Sequence, residues 1–382
     1  MSLSRRLFKM ESFKMSDKNP EMRATAARIC REHLHGVWKH VTPDNIVVKR
    51  ISGGLSNWLY NVQLPEGTNP VRGEPRQVLV RLFGQVHGER ALEGLITESV
   101  IFTLLSERQL GPKLYGIFPG GRIEEYIPAR PLLTKELSDP ILSELIVEKL
   151  AMIHKMHVPI SKEPSWIWET MTKWLNIATD ILENVEDIDS QQLDNVKAIK
   201  SLKLEHEIKW YKSLVSLQKY PVVFCHNDLQ EGNILLRQNS SKPELVVIDF
   251  EYCSYNYRGF DLANHFAEWQ YDYKEDNLPF FVERRGFAPT REQKLNFIRC
   301  YLKKIGKEGE AEEEKLMAEV QVFSLATHLF WGLWGIVNAK TSDIPFGYWE
   351  YAASRLKNYL RLKEKLIASS SINGGMKRKF LD

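Results

Sequence analysis

Cysteine is scarce: Cys30, Cys225, Cys253 and Cys300 are the four in 382 residues. They lie far apart, without metal-ligand spacing, which argues against a disulfide framework and for reduced thiols in the cytoplasm. No run approaches the roughly 20 apolar residues of a membrane span, so neither a transmembrane helix nor integral membrane association is expected. The start, MSLSRRLFKMESFK, has basic residues but no apolar stretch of about 7 to 15 residues behind them, so it does not read as a secretory signal. Residues 1–20 read as a disordered leader. An excess of one charge is missing too: 52 basic residues face 49 acidic ones, for a formal net charge of +3. With no clustered basic patch and no base-reading motif, nucleic acid is not an expected partner. The acidic run Glu308 to Glu314 reads as a solvated loop and helix start, and Lys377 to Lys379 as part of a flexible tail, residues 369–382. Internal repeats and long low-complexity segments are absent.

What is present is a globular chain, 43% hydrophobic, long enough for two or three domains. Apolar spacing of three or four residues predicts a helix from Ala24 to Val41. Strand-type runs follow at Ile46 to Ile51, Trp58 to Leu64, Val78 to Phe83, Tyr115 to Phe118 and Ile123 to Tyr126, with a helix near Ile96 to Arg108. After Pro128 the pattern turns helical: Ile141 to Met156, Trp166 to Asn184, Leu193 to Leu217, Arg291 to Tyr301, Glu312 to Asn338 and Tyr348 to Ile367. Short β-type runs at Val222 to Cys225, Ile234 to Leu236 and Leu245 to Phe250 interrupt it. The expected fold class is α+β, with a small β-rich N-terminal lobe (21–130), a larger mainly helical C-terminal lobe (131–368) and a cleft between them.

The segment His226-Asn227-Asp228-Leu229-Gln230-Glu231-Gly232-Asn233 sets an Asp and an Asn five positions apart just after an apolar strand, and Asp249 follows near the end of a later strand. Phosphoryl transfer needs a carboxylate to orient the attacking hydroxyl and oxygen ligands to hold Mg²⁺ on nucleotide phosphates, all on fixed loops. The pattern His-x-Asp-x-x-x-x-Asn, followed by Ile248-Asp249-Phe250, resembles the catalytic loop and metal-binding Asp of the protein-kinase-like superfamily. The longer string from Ile248 to Asp261, with Glu268 after it, resembles the choline/ethanolamine kinases, and the likeness runs from about Ile51 to about Leu360. That resemblance implies a bilobal protein-kinase-like fold, ATP and Mg²⁺ as cofactors, Asp228 as catalytic base, Asn233 and Asp249 as magnesium ligands, and Asp261 bracing the loop.

The same resemblance implies a nucleotide site. It would take the glycine turn Ser52, Gly53, Gly54, Leu55, Ser56 and Asn57 with Trp58, then Arg81 on the third strand, and Glu98 on the next helix as its ion-pair partner. It would also take the connecting segment Glu125, Tyr126, Ile127, Pro128, Ala129, Arg130 and Pro131, together with Gln230. A glycine turn suits phosphate because its backbone N–H groups can come close, although a plain hairpin explains Gly53-Gly54 equally well.

Glu251 in place of the glycine of Asp-Phe-Gly, Gln230 in place of a lysine, and the missing Ala-Pro-Glu argue against a peptide substrate. A quaternary ammonium cannot donate hydrogen bonds, so a site for it needs aromatic faces and nearby carboxylates. The resemblance places Glu251, Tyr252, Glu268, Tyr273, Trp331, Trp334, Phe346 and Tyr351 in such a pocket. Trp166, Trp168 and Trp174 match no motif and read as core or interface, and His154 and His157, without a third ligand, read as structural. The implied reaction is phosphorylation of the choline hydroxyl, the first step towards phosphatidylcholine, by a homodimer. Ethanolamine, an aminoglycoside-type acceptor and a catalytically dead binding module are the alternatives.

Overall fold

The computed structural model describes residues 20–51, 57–71, 73–83, 89–185, 190, 192–238 and 241–372. The chain divides into two compact units, one ending at Pro128 and the other starting at Ala129. The first holds helix α1 (Pro20–His33), strands β1 (Val47–Ile51), β2 (Asn57–Gln63) and β3 (Gln77–Phe83), helix α2 (Glu89–Glu107), and strands β4 (Leu114–Phe118) and β5 (Gly121–Glu125). The strands form one antiparallel sheet in the order β1-β2-β3-β5-β4. Val78, Val80 and Leu82 alternate along β3 with the period of two of a strand. They are buried together with Val48, Tyr60, Val62, Ile123 and the Ala26, Ala27 and Cys30 face of α1.

The helix expected from Ala24 to Val41 stops at His33, because Gly36 takes a φ of 55°, a left-handed conformation that glycine adopts without steric cost. The chain then makes a 3-10 turn, Gly36–His40, that buries Trp38 with its indole N–H on the Pro75 carbonyl at 2.8 Å.

The second unit runs through β6 (Ala129–Pro131), α3 (Pro140–His154), α4 (Trp166–Glu183), α5 (Leu193–Ser201) and α6 (Leu204–Ser216). Next come β7 (Val222–Cys225), β8 (Ile234–Arg237), β9 (Leu245–Val247), β10 (Ser254–Tyr257) and α7 (Arg258–Glu268). It ends with β11 (Tyr271–Asp272), β12 (Val282–Glu283), α8 (Arg291–Ile305), α9 (Glu310–Thr341) and α10 (Tyr348–Ile372). The short strands pair antiparallel as β6-β8-β9, β10-β7 and β11-β12.

The helix expected from Leu193 to Leu217 is broken at Leu202, where the backbone is extended. Its buried residues explain the break. Val196 and Ile199 form one stripe, whereas Leu204, Ile208, Tyr211 and Val215 form another, and the five-residue step from Ile199 to Leu204 puts a continuous helix out of phase. Helix α9 is long and apolar enough to cross a bilayer by length and composition, a feature the search for apolar runs overlooked. Most of that apolar stretch (78%) is buried inside the protein, against α10, α7, α4 and α8. It is the core helix of this unit.

Candidate active site

Strand β7 delivers His226-Asn227-Asp228 from the core, and β9 delivers Ile248-Asp249, so two adjacent loops emerge side by side. Asn227 and Asp249 have φ values of 68° and 64°, a left-handed conformation that residues with a Cβ adopt only when their surroundings compel it. For Asn227 the compulsion is visible. Its backbone N–H donates to Asp261 Oδ1 at 2.8 Å, and its side chain donates to the Tyr252 carbonyl and Ser254 Oγ, both at 2.9 Å. Its Oδ1 accepts from Asn256 Nδ2 at 2.8 Å. The His226 N–H donates to Asp261 Oδ2 at 2.8 Å, and Asp261 is held from behind by His154 Nε2 at 2.9 Å. Burial alone would raise the Asp261 carboxyl, but the hydrogen bond and charge of His154, together with His226, hold it below the usual carboxylate range.

His154, Cys225 and Asp261 lie within 4.8 Å of one another. Both ring nitrogens of His154 are nevertheless committed, to Asp261 and to the Tyr301 hydroxyl at 2.8 Å, so the cluster is a brace for the loop.

Asp228 is half-buried. Its Oδ2 and its carbonyl both accept from Asn233 Nδ2 at 2.9 Å, which turns the Asn233 amide oxygen away from Asp228. The 3-10 turn Glu231–Asn233 makes this possible, with the Gln230 side-chain oxygen accepting from Gly232 N–H at 2.7 Å. The Ile248 N–H closes the two loops onto each other by donating to the Asn233 carbonyl at 3.0 Å. Burial raises the Asp228 carboxyl well above the usual range, and the nearby charges of Glu268, Asp249 and Glu251 add to it, against the hydrogen bond from Asn233. Two neutral histidines complete the frame. His226 accepts from the Asp228 N–H at Nδ1 (3.2 Å) and donates from Nε2 to the Ile248 carbonyl (3.0 Å). His265 donates from Nδ1 to the Leu229 carbonyl (2.9 Å) and accepts from Trp269 at Nε2 (3.2 Å).

The aromatic residues singled out in the sequence form one continuous cluster. Tyr252 meets Trp331 edge-on with centroids 5.6 Å apart, Trp331 meets Trp334 at 5.7 Å, and Trp334 meets Tyr351 at 5.7 Å. Phe346 lies 5.6 Å from Tyr351 and 6.4 Å from Tyr273. All but the tilted Phe346–Tyr273 pair are T-shaped, setting ring edges against neighbouring faces. Trp331 is buried and its indole N–H donates to Asn264 Oδ1 at 2.7 Å, whereas Trp334 is half-buried. Trp166, read from the sequence as core or interface, stands edge-on to Tyr252 at 6.4 Å and extends the cluster. Glu268 Oε2 accepts from the Tyr273 hydroxyl at 2.8 Å, and Oε1 accepts from Arg355, a residue the sequence reading did not find. Glu251 is exposed.

Helix α7 connects the two regions. Its polar residues Asp261, Asn264, His265 and Glu268 follow the three-to-four spacing of one helix face, and all are buried. Asp261 braces the Asp228 loop, Asn264 holds Trp331, His265 holds Leu229, and Glu268 stands in the aromatic cluster. That polar spacing was the available sign of the helix, which the sequence reading missed. With every residue buried, α7 shows no contrast between a solvent face and a core face.

In the first unit, the turn Ser52 to Ser56 lies outside the described residues. Asn57 and Trp58 open β2, paired with Phe83 and Leu82. Arg81 Nε donates to Glu124 Oε1 at 2.7 Å; the same oxygen accepts from Arg122 Nε at 2.7 Å, and Arg122 donates to Glu98 at 2.7 Å. Glu98 therefore joins Arg81 through a four-membered chain in which Arg122 and Glu124 were not foreseen. Glu125 ends β5, and Tyr126, Ile127 and Pro128 lead out of the unit. Ala129, Arg130 and Pro131 form β6 of the second unit, where Arg130 makes a two-pronged ion pair with Glu136 at 2.7 Å on both arms.

The sequence model of the family described as Choline/ethanolamine kinase matches residues 48–360. A rat protein named "Choline/ethanolamine kinase" is 45% identical over 347 residues, covering 89% of this chain and 86% of its own length. Mouse "Choline kinase alpha" is 43% identical over 382 residues, covering 92% of this chain and 83% of its own. Among solved structures, a choline kinase from Cryptosporidium parvum superposes with a TM-score of 0.74 at 28% identity, covering 91% of this chain and 96% of its own. The fold is the protein-kinase-like fold, and the chain belongs to the choline/ethanolamine kinase family.

Proposed function

We propose that the chain transfers the terminal phosphoryl group of ATP to the hydroxyl of choline, giving phosphocholine and ADP as the first step towards phosphatidylcholine. The observation that carries the choice of choline is the ring cluster of Tyr252, Trp331, Trp334 and Tyr351, joined through Tyr273 to a Glu268 carboxylate whose two oxygens each already accept a hydrogen bond. A trimethylammonium packs its methyl groups on ring faces and needs no acceptors, whereas a primary ammonium loses water and needs direct acceptors in return.

In this reading Asp228 takes the hydroxyl proton. Its raised affinity for a proton suits a general base, and its carboxylate is aimed by Asn233. Asn233 and Asp249 fit magnesium: they offer an amide oxygen and a carboxylate, the hard donors that cation takes, beside an accumulation of carboxylates. When bound there, magnesium would neutralise charge on the phosphates. The nucleotide is assigned to the Ser52–Trp58 turn, Arg81, Glu98, the Glu125–Pro131 segment and Gln230, on family resemblance. A cytoplasmic homodimer is assigned on the same ground.

The test is ADP release by the purified protein with Mg·ATP and choline, ethanolamine, kanamycin or no acceptor. Choline should give the highest kcat/KM. Turnover that ignores choline, or none, would sink the proposal. Ethanolamine is the second reading, favoured by the acidic groups Glu251 and Glu268 near Asp228.

A further inference from the structure

Arg355 is fully buried, on helix α10, and faces Glu268. Its Nη2 donates to Glu268 Oε1 and reaches the hydroxyls of Tyr351 at 2.8 Å and Tyr273 at 3.2 Å. The guanidinium lies on the Tyr271 ring, 3.7 Å from its centroid. That ring is fixed in turn: its hydroxyl meets Ser354 Oγ at 3.1 Å and accepts from Asn358 Nδ2 at 3.0 Å. Among the described residues, Arg355 Nε and Nη1 have no hydrogen-bond partner. Burying a cation with two donors unmatched is costly. An apolar residue would fill the space at less cost, so the charge calls for an explanation in what it does to Glu268.

We infer that Arg355 is a specificity-determining positioning residue: by occupying one oxygen of Glu268 and offsetting its charge, it sets the pocket against primary ammonium groups and towards quaternary ones. This rests on the amine-kinase reading of the site. Glu268 is the buried carboxylate of the aromatic cluster, and each of its oxygens already accepts a hydrogen bond, from Arg355 and from Tyr273. An incoming primary ammonium, stripped of water, finds one acceptor position on each oxygen already taken and only part of a negative charge. A trimethylammonium needs no acceptor and depends less on that charge, because much of its stabilisation comes from the ring faces. Releasing Glu268 from Arg355 should restore its uncompensated charge and add one acceptor position, which help ethanolamine more than choline and leave the ring contacts of choline in place.

The experiment measures kcat and KM for choline, ethanolamine and ATP in the wild type, Arg355→Met and Tyr273→Phe. The ratio of kcat/KM for choline to that for ethanolamine should fall about tenfold in Arg355→Met, the scale of one charge-assisted hydrogen bond. The KM for ethanolamine should fall and the KM for ATP should stay unchanged. Tyr273→Phe frees a position on the other oxygen while Arg355 keeps Glu268 and Tyr351 as partners, and should move the ratio the same way by about threefold. If Arg355→Met does not fold, Tyr273→Phe alone decides. A merely structural role lowers both amines together, so a ratio within twofold of wild type in every variant that folds, or a shift towards choline, overturns the inference. A wild type that phosphorylates both amines but prefers ethanolamine overturns it while the amine-kinase reading stands; a wild type that phosphorylates neither overturns both.

Discussion

The loop around Asp228 and the ring cluster around Trp334 are built on opposite physical principles. The loop is polar and held by directed hydrogen bonds, from two successive N–H groups to Asp261 and from two neutral histidines to backbone carbonyls. Its atoms are fixed well enough to impose left-handed backbone at Asn227 and Asp249. The cluster is held by broad, weakly directional ring contacts drawn from α9, α10 and the segments around Tyr252 and Tyr273, with one buried ion pair inside it. Chemistry that depends on a proton position needs the first kind of frame, and recognition of a diffuse cation tolerates the second. Damage to the loop should therefore appear in kcat, and damage to the cluster in the KM of the amine.

The largest expected effect is on the loop side. Asp228→Asn should lower kcat by about 10² to 10⁴ with little change in nucleotide affinity or melting temperature, since a general base contributes on that scale. Near-normal kcat in steady-state assays would remove Asp228 from that role. On the cluster side, Trp334→Ala should raise the choline KM by about 30-fold, for a loss of about 2 kcal/mol of desolvated cation–π contact, and leave the KM for ATP in place. Equal losses for choline and ATP would mean that the ring supports the fold rather than the ligand.

Acid should separate the regions differently. His226 and His265 are buried, and burial lowers both, His265 to about 4, so the folded loop does not accept the protons that the unfolded chain binds below about 6.5. The unfolded state then binds more protons, and stability falls with falling pH by up to about 1.4 kcal/mol per pH unit for each histidine. Urea midpoints at pH 7 and pH 5.5 should differ less in His265→Gln, whose amide can still donate to Leu229 and accept from Trp269. An unchanged difference would assign the acid sensitivity elsewhere.

The smallest effect expected is at Gly335, where an added Cβ would lie 3.1 Å from the Tyr348 carbonyl and 3.1 Å from Ala352 Cβ. Gly335→Ala should cost about 1 to 3 kcal/mol of stability by pressing α10 away from α9. Because Tyr351 and Arg355 ride on α10, the choline KM should rise by about threefold and kcat should hold, as expected of a fault confined to the cluster side. A fall in kcat with an unchanged KM would break the division between the two regions.

The same contrast explains what could be read in the sequence. The loop is nearly contiguous, so His226 to Asn233 and Asp249 could be read together as a resemblance to the protein-kinase-like catalytic loop, and that resemblance carried the expected fold. The cluster is assembled from residues as far apart in the chain as Trp166 and Tyr351. Trp331 and Trp334 were visible as a pair, but nothing local distinguishes Arg355 from the many exposed basic residues of a helix end. Helix α7 was there to be read: Arg258, Asp261, Asn264, His265 and Glu268 recur at helical spacing between apolar residues, even though the fold buries both faces. The Arg122–Glu124 link was hidden for a related reason: strand residues that face a buried salt bridge look like ordinary solvent-facing positions. The extra break at Leu202 could have been found from the phase of the two apolar stripes.

Helix α7 also works as a ruler. Asp261, which fixes the Asp228 loop, and Glu268, which in the proposed function stands at the amine, are seven residues apart on one rigid rod, or about 10 Å at 1.5 Å per residue. A rod of that kind barely stretches, so in the proposed function the distance between the residue that anchors the Asp228 loop and the carboxylate at the amine is set once, by residue count. A substrate with a two-carbon spacer either matches that interval or it does not. Lengthening the spacer by one methylene should therefore lower turnover far more than changing the bulk of the ammonium by a methyl, because the rings can shift to accept volume and the rod cannot lengthen to accept reach.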